Sequence, residues 1–199
     1  DKNGNLWLSH FTKGLLRFNP DEKSVKIFDK SDGLPFDNLV PRYWYQSDDG
    51  RIFILSYIGE GNGFCYFHPD SITDNKNIPN IVITDFRIKD EPLQTISKIS
   101  SANTIRLSYN QNFFSFHFAA LDYTNPAINQ YAYYLEGLEK DWIYSGNRRF
   151  ASYTSVPPGE YVFNVKGSNN DGYWNEQGKK VGINILPPPW KTWWAYIIY

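Results

Sequence analysis

The sequence predicts an all-β chain in which partial β-propeller blades precede an immunoglobulin/fibronectin-like β-sandwich. Three observations support this fold class: a repeat in the first half, short alternating strands separated by Gly, Asn and Pro in the second half, and no marked helical periodicity. The predicted boundaries are residues 1–76 for the blades, 77–186 for the sandwich and 187–199 for a C-terminal segment.

The composition is that of a folded protein, and the charge balance gives no sign of a nucleic-acid partner. The 199 residues suit one sizeable domain or two small ones. The 20 basic and 21 acidic residues give a net charge of -1 without a basic stripe, which excludes nucleic-acid binding. Aromatic residues make up 18% of the chain and are expected mainly in sheet cores. Cys65 has no second cysteine to pair with, and we expect it to be buried filler.

The first half contains two copies of one pattern. "DKNGNLWLS" is followed by "GLLRFNP", and "SDDGRIFILS" is followed by "GFCYFHP". The spacing is 46 residues from Gly4 to Gly50 and 49 residues from Pro20 to Pro69, which is the size of a propeller blade. In each copy an Asx-Gly turn precedes one strand and a glycine opens the next. Residues 25–29 are predicted as an outer strand and residues 38–46 as the inner strand of the next blade.

The second half follows a polar connector at residues 71–80. Alternating apolar residues separated by turn residues are typical of a β-sandwich. The seven predicted strands are Ile81–Lys89, Thr104–Tyr109, Phe113–Tyr123, Gln130–Gly137, Phe150–Val156, Glu160–Asn169 and Val181–Leu186.

Both halves resemble known sensor modules. The repeat "NGNLWLS…KGLLRFNP" resembles the two-component-regulator propeller repeat of periplasmic sensor regions in bacterial hybrid histidine kinases. The segments "FAALDYTNPAINQYAYYLEGLEKDWI" and "RRFASYTSVPPGEYVFNVKGSNNDGYWNE" resemble the triple-tyrosine (Y_Y_Y) domain that follows such propellers. The family-motif residues, expected to be mostly structural, are Tyr131, Tyr133, Trp142, Tyr153, Tyr161 and Trp174.

The resemblance implies a role in signal transmission. In that family a propeller senses a carbohydrate, commonly an oligosaccharide, and the sandwich couples it to a transmembrane helix and a cytoplasmic kinase. It further implies a homodimer, upstream propeller blades, and a location in the periplasmic region of an inner-membrane protein. The alternative is a carbohydrate-binding module of a secreted or surface polysaccharide-degrading protein.

No catalytic or metal-binding pattern stands out in the sequence. His10, His68 and His117 are far apart, and none has a ligand partner at a metal-binding spacing. Neither a nucleophile motif nor a glycine-rich phosphate loop occurs. We therefore expect a non-catalytic chain with no cofactor and no metal.

Two groups of side chains leave alternatives open. Arg148 and Arg149 form a possible anion contact, for example with an acidic sugar. The alternatives are a solvated turn or an ion pair with residues 139–141. Tyr131, Tyr133, Tyr153 and Tyr161 are candidates for a sugar platform. Their period-2 placement instead predicts at least half of them in the core, which leaves the others for a protein–protein face.

The C-terminal segment "PPPWKTWWAYIIY" is predicted to be juxtamembrane. Three prolines should end sheet pairing and impose an extended, stiff segment. The aromatic residues that follow match the belt found at membrane–water interfaces. The ten residues after Pro189 are fewer than the roughly 20 that a span needs. The predicted relay residues are Pro187, Pro188, Pro189, Trp190, Trp193 and Trp194; the alternative is a tail packed on its own sandwich.

Overall fold

The computed structural model describes residues 1–36, 39–58, 61–89, 91–92 and 104–191. Within these ranges the regular structure consists of β-strands and short 3₁₀ turns, which confirms the predicted all-β class. The chain divides into two compact units, Asp1–Asp74 and Asn75–Tyr199.

The first unit is built from two antiparallel sheets. Its strands are β1 (Leu6–His10), β2 (Gly14–Asn19), β3 (Ser24–Phe28), β4 (Leu39–Gln46), β5 (Ile52–Ile58) and β6 (Gly61–Phe67). They form two three-stranded sheets, in the orders β1-β2-β3 and β4-β5-β6. Two 3₁₀ turns, Lys30–Asp32 and Pro69–Ser71, follow β3 and β6. The strands predicted from the repeat are confirmed, whereas their assignment to propeller blades stays a prediction.

The two Asx-Gly turns of the repeat explain where β1 and β5 begin. The amide of Gly4 donates to the Asp1 carbonyl at 3.2 Å, and the amide of Gly50 donates to the Ser47 carbonyl at 2.9 Å. Both glycines have positive φ angles, 78° and 90°. A side chain is strained in that conformation, so glycine is the residue that closes each turn.

One core joins the two sheets of the first unit. Its buried side chains are Leu15, Phe28, Leu39, Ile54 and Cys65. The ring of Trp7 packs against this core, 5.7 Å from the Phe28 ring and 4.9 Å from the Phe67 ring. Cys65 is buried as predicted, and burial raises the pKa of its thiol.

The opposite face of each sheet in the first unit is also apolar. Strand register places six apolar residues together on the β1–β3 sheet, which we call the aliphatic outer face: Leu6, Leu8, Leu16, Phe18, Val25 and Ile27. The β4–β6 sheet presents an aromatic outer face made of Tyr45, Phe53, Phe64 and Tyr66, with ring centroids 5.4–6.3 Å apart. Most of these side chains are exposed. Contiguous exposed apolar surface of this kind marks a site of interaction.

The second unit is a β-sandwich. Its strands are β7 (Ile81–Ile88), β8 (Glu91–Pro92), β9 (Thr104–Leu107), β10 (Phe114–Ala120), β11 (Tyr131–Glu136), β12 (Ile143–Gly146), β13 (Phe150–Tyr153), β14 (Gly159–Ser168) and β15 (Trp174–Ile185). A four-stranded sheet has the order β13-β10-β7-β8, and a five-stranded sheet has the order β12-β11-β14-β15-β9. Strand β9 pairs with β15 in parallel, and the remaining described pairs are antiparallel.

Aromatic rings fill the space between the two sheets. Phe116 of the four-stranded sheet stacks on Phe163 of the five-stranded sheet, with centroids 4.1 Å apart and an interplanar angle of 3°. Phe86, Phe114 and Phe118 surround this pair and are themselves buried. The alternation that predicted the strands arises because every second residue points into this core.

The seven strands predicted for this unit are present, with two differences. Strand β15 begins at Trp174 rather than at Val181, because its first half pairs with β14 through polar residues that show no apolar alternation. Strands β8 and β12 were not predicted. Both are short, and β12 has no buried residue. A strand without a buried face lacks the pattern that sequence analysis detects.

Candidate functional site

The motif tyrosines lie in the sandwich core, and their hydroxyl groups form hydrogen bonds at its margins. Tyr131, Tyr133, Tyr153 and Tyr161 are all buried. The Tyr131 hydroxyl accepts a hydrogen bond from the Ala120 amide at 3.1 Å, and the Tyr161 hydroxyl donates to the Pro157 carbonyl at 3.0 Å. The Tyr161 bond spans four residues at the start of β14, as in the tyrosine corner of sandwich domains. Their burial excludes a sugar platform built from these four rings.

Glu139 connects the turn after β11 to the core residue Tyr153 by hydrogen bonds. One oxygen of its carboxylate accepts from the Leu135 amide at 2.7 Å and from the Tyr153 hydroxyl at 3.1 Å. Burial, and then the neighbouring charge of Glu139, raise the pKa of Tyr153 far above its usual range. The raised pKa favours the neutral form of Tyr153, which donates to Glu139 and so attaches the turn to the sandwich.

Arg148 and Arg149 make contacts within the sandwich. The Arg148 guanidinium donates to the Tyr133 hydroxyl at 2.6 Å and lies 5.4 Å from the centre of the Phe150 ring. Arg149 donates to the Pro126 carbonyl at 2.5 Å. Among the described residues neither guanidinium forms an ion pair, so the alternative pairing with residues 139–141 is not present. The predicted anion contact stays a prediction.

A lysine surrounded by aromatic rings lies on the outer face of the five-stranded sheet; we call it the Lys166 cluster. The Lys166 ammonium lies 4.7 Å from the centre of the Trp142 ring, 5.7 Å from that of Tyr144 and 5.4 Å from that of Trp174. It also donates to Glu176 at 2.9 Å. The Lys166 side chain is only 9% exposed, whereas that of Glu176 is 69% exposed. Rings from distant parts of the sequence thus shield one cation on β14.

Asparagine side chains bind residues 75–79, at the start of the second unit, to the sandwich; we call this the connector network. The buried Asn169 side-chain amide donates to the backbone carbonyls of Asn75 at 2.6 Å and Asn77 at 2.7 Å. Asn175 donates to the Pro79 carbonyl at 2.8 Å. Asn169 and Asn175 thus supply hydrogen-bond donors to three backbone carbonyls of this segment.

Asp122 is the anionic centre of the connector network. Its buried carboxylate accepts from the side-chain amides of Asn75 at 2.9 Å and Asn77 at 3.0 Å, and from the Thr124 amide at 3.1 Å. Burial on its own raises the pKa of Asp122, but these hydrogen bonds outweigh it and hold the pKa below the ordinary value of 3.8. The sequence analysis missed this network, whose partners lie more than 40 positions apart along the chain.

The described part of the C-terminal segment lies against the sandwich. Pro188 is buried, whereas Pro187, Pro189 and Trp190 are exposed. Residues Pro189–Lys191 form a 3₁₀ turn, so the predicted extended segment is wrong there; the φ angle of proline suits a 3₁₀ turn as well as an extended chain. Trp193 and Trp194 lie outside the described residues. No helix in the described ranges has the length and apolar character needed to cross a membrane.

Residues 122–186 match the family model of the Y_Y_Y domain. The second unit contains a Y_Y_Y domain. This Y_Y_Y domain comprises β11 to β15, the motif tyrosines, the Lys166 cluster and Asp122, together with Asn169 and Asn175. The sequence resemblance to that domain is confirmed.

Similarity to known proteins extends over both units. The chain is 38% identical to "Histidine kinase P4" of Formosa agariphila over 202 aligned positions, covering 98% of this chain and 14% of that protein. It is 30% identical to the extracellular domain of the hybrid two-component system BT3049 of B. thetaiotaomicron, with a TM-score of 0.77, covering 94% of this chain and 25% of the solved chain. The extracellular domain of BT4673 from the same organism shares the fold at 22% identity and a TM-score of 0.52, covering 94% of this chain and 30% of that one.

The chain thus spans about a seventh of the curated relative and a quarter of the BT3049 domain. These findings confirm the resemblance to the extracytoplasmic sensor regions of two-component systems that the sequence indicated.

The Asp122 carboxylate should stabilise the Y_Y_Y domain in a pH-dependent way. We expect Asp122→Asn to lower the free energy of unfolding at pH 7 by about 1.5–3 kcal/mol, because three donors lose a charged acceptor. The folded pKa lies below 3.8, so this stabilisation is complete above that pH and is lost as the pH falls through the folded pKa. Urea unfolding at pH 7 and below pH 3.8 measures the difference. Asp141→Asn, at an exposed site, is the control; a difference from wild type that stays constant with pH would contradict the prediction.

The Lys166 ammonium should hold the surrounding rings in place. We expect Lys166→Met, which keeps an unbranched side chain of similar length and removes its charge, to cost about 1–2 kcal/mol of stability, mainly through lost cation–π contacts. Near-ultraviolet circular dichroism should change, because Trp142 and Trp174 lose the cation between them. Lys180→Met, on the same face of the sheet, is the matched control. Wild-type stability with an unchanged spectrum in Lys166→Met would show that ring packing alone holds the cluster.

Proposed function

We propose that this chain is an extracytoplasmic sensor and signal-transmission region of a membrane-bound two-component sensor kinase. It passes ligand-dependent movement from a β-propeller through the Y_Y_Y sandwich to a transmembrane helix. The observation that carries the proposal is the similarity over almost the whole chain to a histidine kinase, together with the 0.77 TM-score to the extracellular domain of a hybrid two-component system. Catalysis, on this proposal, belongs to a cytoplasmic kinase elsewhere in the protein.

The outer faces of the first unit support the propeller part of the proposal. The aliphatic outer face and the aromatic outer face are both apolar, and a strand that is apolar on both faces is typical of a sheet packed between two others. Blades cannot bury such faces alone and need neighbours. The relatives contain chain far beyond the matched region, which is enough to supply them. We therefore propose upstream blades as the partners of these faces.

A homodimer is the second part of the proposal. Sensor kinases of two-component systems commonly act as dimers, and a ligand then changes the relative arrangement of the two subunits. We place the contact at residues 159–186, the strands β14 and β15 that lead to the C-terminal segment. Sedimentation of the isolated sandwich, residues 77–186, should show concentration-dependent self-association. A strict monomer at high concentration would argue against this contact.

A carbohydrate-binding module is the second candidate function, and the aromatic outer face of β4–β6 favours it. Tyr45, Phe64 and Tyr66 are exposed there, as stacking platforms for sugars are. On the sensor proposal the ligand is an oligosaccharide bound with the help of upstream blades, so the isolated chain binds it weakly or not at all. Calorimetric titration of the isolated chain with oligosaccharides distinguishes the two candidate functions. Clear binding favours the carbohydrate-binding module, and weak or no binding favours the sensor.

A chimera tests the sensor proposal directly. This chain replaces the matching segment of the F. agariphila kinase, and we expect autophosphorylation to respond to the stimulus that activates the parent protein. A membrane-impermeant maleimide should label Tyr123→Cys, at a highly exposed site, in intact cells. The control is a chimera carrying Phe163→Ala, which loses the stacked core pair and should not respond. Labelling only after lysis, or a folded chimera whose activity ignores the stimulus, would overturn the proposal.

A further inference from the structure

The C-terminal end of β15 is held on both sides. Residues Gly182–Ile185 pair in parallel with Thr104–Leu107 of β9, and the same residues pair in antiparallel with the start of β14. Beyond the strand, the Leu186 amide still donates to the Leu107 carbonyl at 2.9 Å. Strand β9 lies at the edge of the sheet, so its described backbone pairing is with β15 alone. The last backbone hydrogen bond before the proline run therefore goes to β9.

The proline run removes backbone donors from the next three positions. Pro187, Pro188 and Pro189 have no N–H group and cannot continue the ladder. Side-chain contacts also hold this segment. Pro188 is buried, and the Trp190 ring meets the Tyr109 ring edge to face, with centroids 5.1 Å apart. Edge-to-face pairs of this kind contribute beyond the area they bury.

Tyr109 occupies a fixed position next to β9. The turn that contains it is closed by the Gln111 amide, which donates to the Ser108 carbonyl at 2.9 Å, and by the Ser108 amide, which donates to the Gln111 side chain at 2.9 Å. Tyr109 is 37% exposed and Trp190 is 55% exposed. Their contact lies at the surface, so it can open while the core of the sandwich stays closed.

We propose that Tyr109 and Trp190 form a latch through which β9 sets the position of the C-terminal segment. The pair consists of positioning residues: it fixes where the chain leaves the sandwich, and a displacement of β9 is passed to the residues after Trp190. This inference rests on the proposed function, in which those residues lead to a transmembrane helix. It adds to that function a named contact, between the turn after edge strand β9 and the C-terminal segment.

Amide hydrogen exchange of the isolated chain tests the latch without any signalling readout. We expect Tyr109→Ala and Trp190→Ala each to speed exchange at Leu186 about 2- to 10-fold, the factor that an edge-to-face pair contributes. The double variant should match the single ones, because one contact is lost in each case. Ile183, in the middle of the ladder, should keep its protection in every variant. Trp190→Phe keeps an aromatic ring at this position, so Leu186 should retain much of its protection. Tyr123→Ala, at an exposed tyrosine with no ring contact to a described residue, is the matched control.

Two exchange results would overturn the latch: unchanged protection at Leu186 in both single variants, or additive effects in the double variant. In the chimera with the F. agariphila kinase, we expect Trp190→Ala to reduce the stimulus-dependent change in autophosphorylation several-fold while basal phosphorylation persists. A full response together with faster Leu186 exchange would also overturn the positioning role. If the unmodified chimera ignores its stimulus, the proposed function fails, and the exchange measurements alone then decide whether the latch exists.

Discussion

The stack of Phe116 on Phe163 lies where the two sheets of the sandwich face each other, and the rest of this unit is arranged around it. Flat rings in direct contact set the spacing of the sheets, and the neighbouring rings fill the remaining space. Tyrosines surround these phenylalanines, so each hydroxyl group reaches a loop or strand end. Tyr153 holds the turn at Glu139, and Tyr161 holds the turn before β14. The aromatic core therefore also fixes the loops at the edges of the sandwich.

Polar side chains organise the surface of the same unit in a different way. The connector network satisfies carbonyl groups that no strand pairs, and it does so with asparagine amides and one carboxylate. The Lys166 cluster instead shields a cation with rings and leaves its carboxylate partner in solvent. In both cases the partners come from distant parts of the chain, so these contacts form together with the fold.

Strands whose alternate residues enter the core could be predicted from the sequence, because burial of one face leaves a period of two. Strand β12 has no buried residue, and the first half of β15 is polar, so neither carried that signal. The motif tyrosines were identified, but alternation alone does not show that all four are buried. The connector network could not be predicted, since Asn75 and Asn169 are 94 positions apart and nothing local relates them. The same holds for Lys166 and the rings around it.

Cys65 is the lone thiol of the chain, lies in the core of the first unit, and has a pKa raised by burial. The thiolate is the reactive form, so this side chain is protected both from oxidants and from thiol reagents. We therefore expect Cys65 to be a poor partner for a disulfide between two chains. The same burial is useful for labelling experiments. A thiol-reactive probe should attach to a cysteine introduced at the surface and not to Cys65.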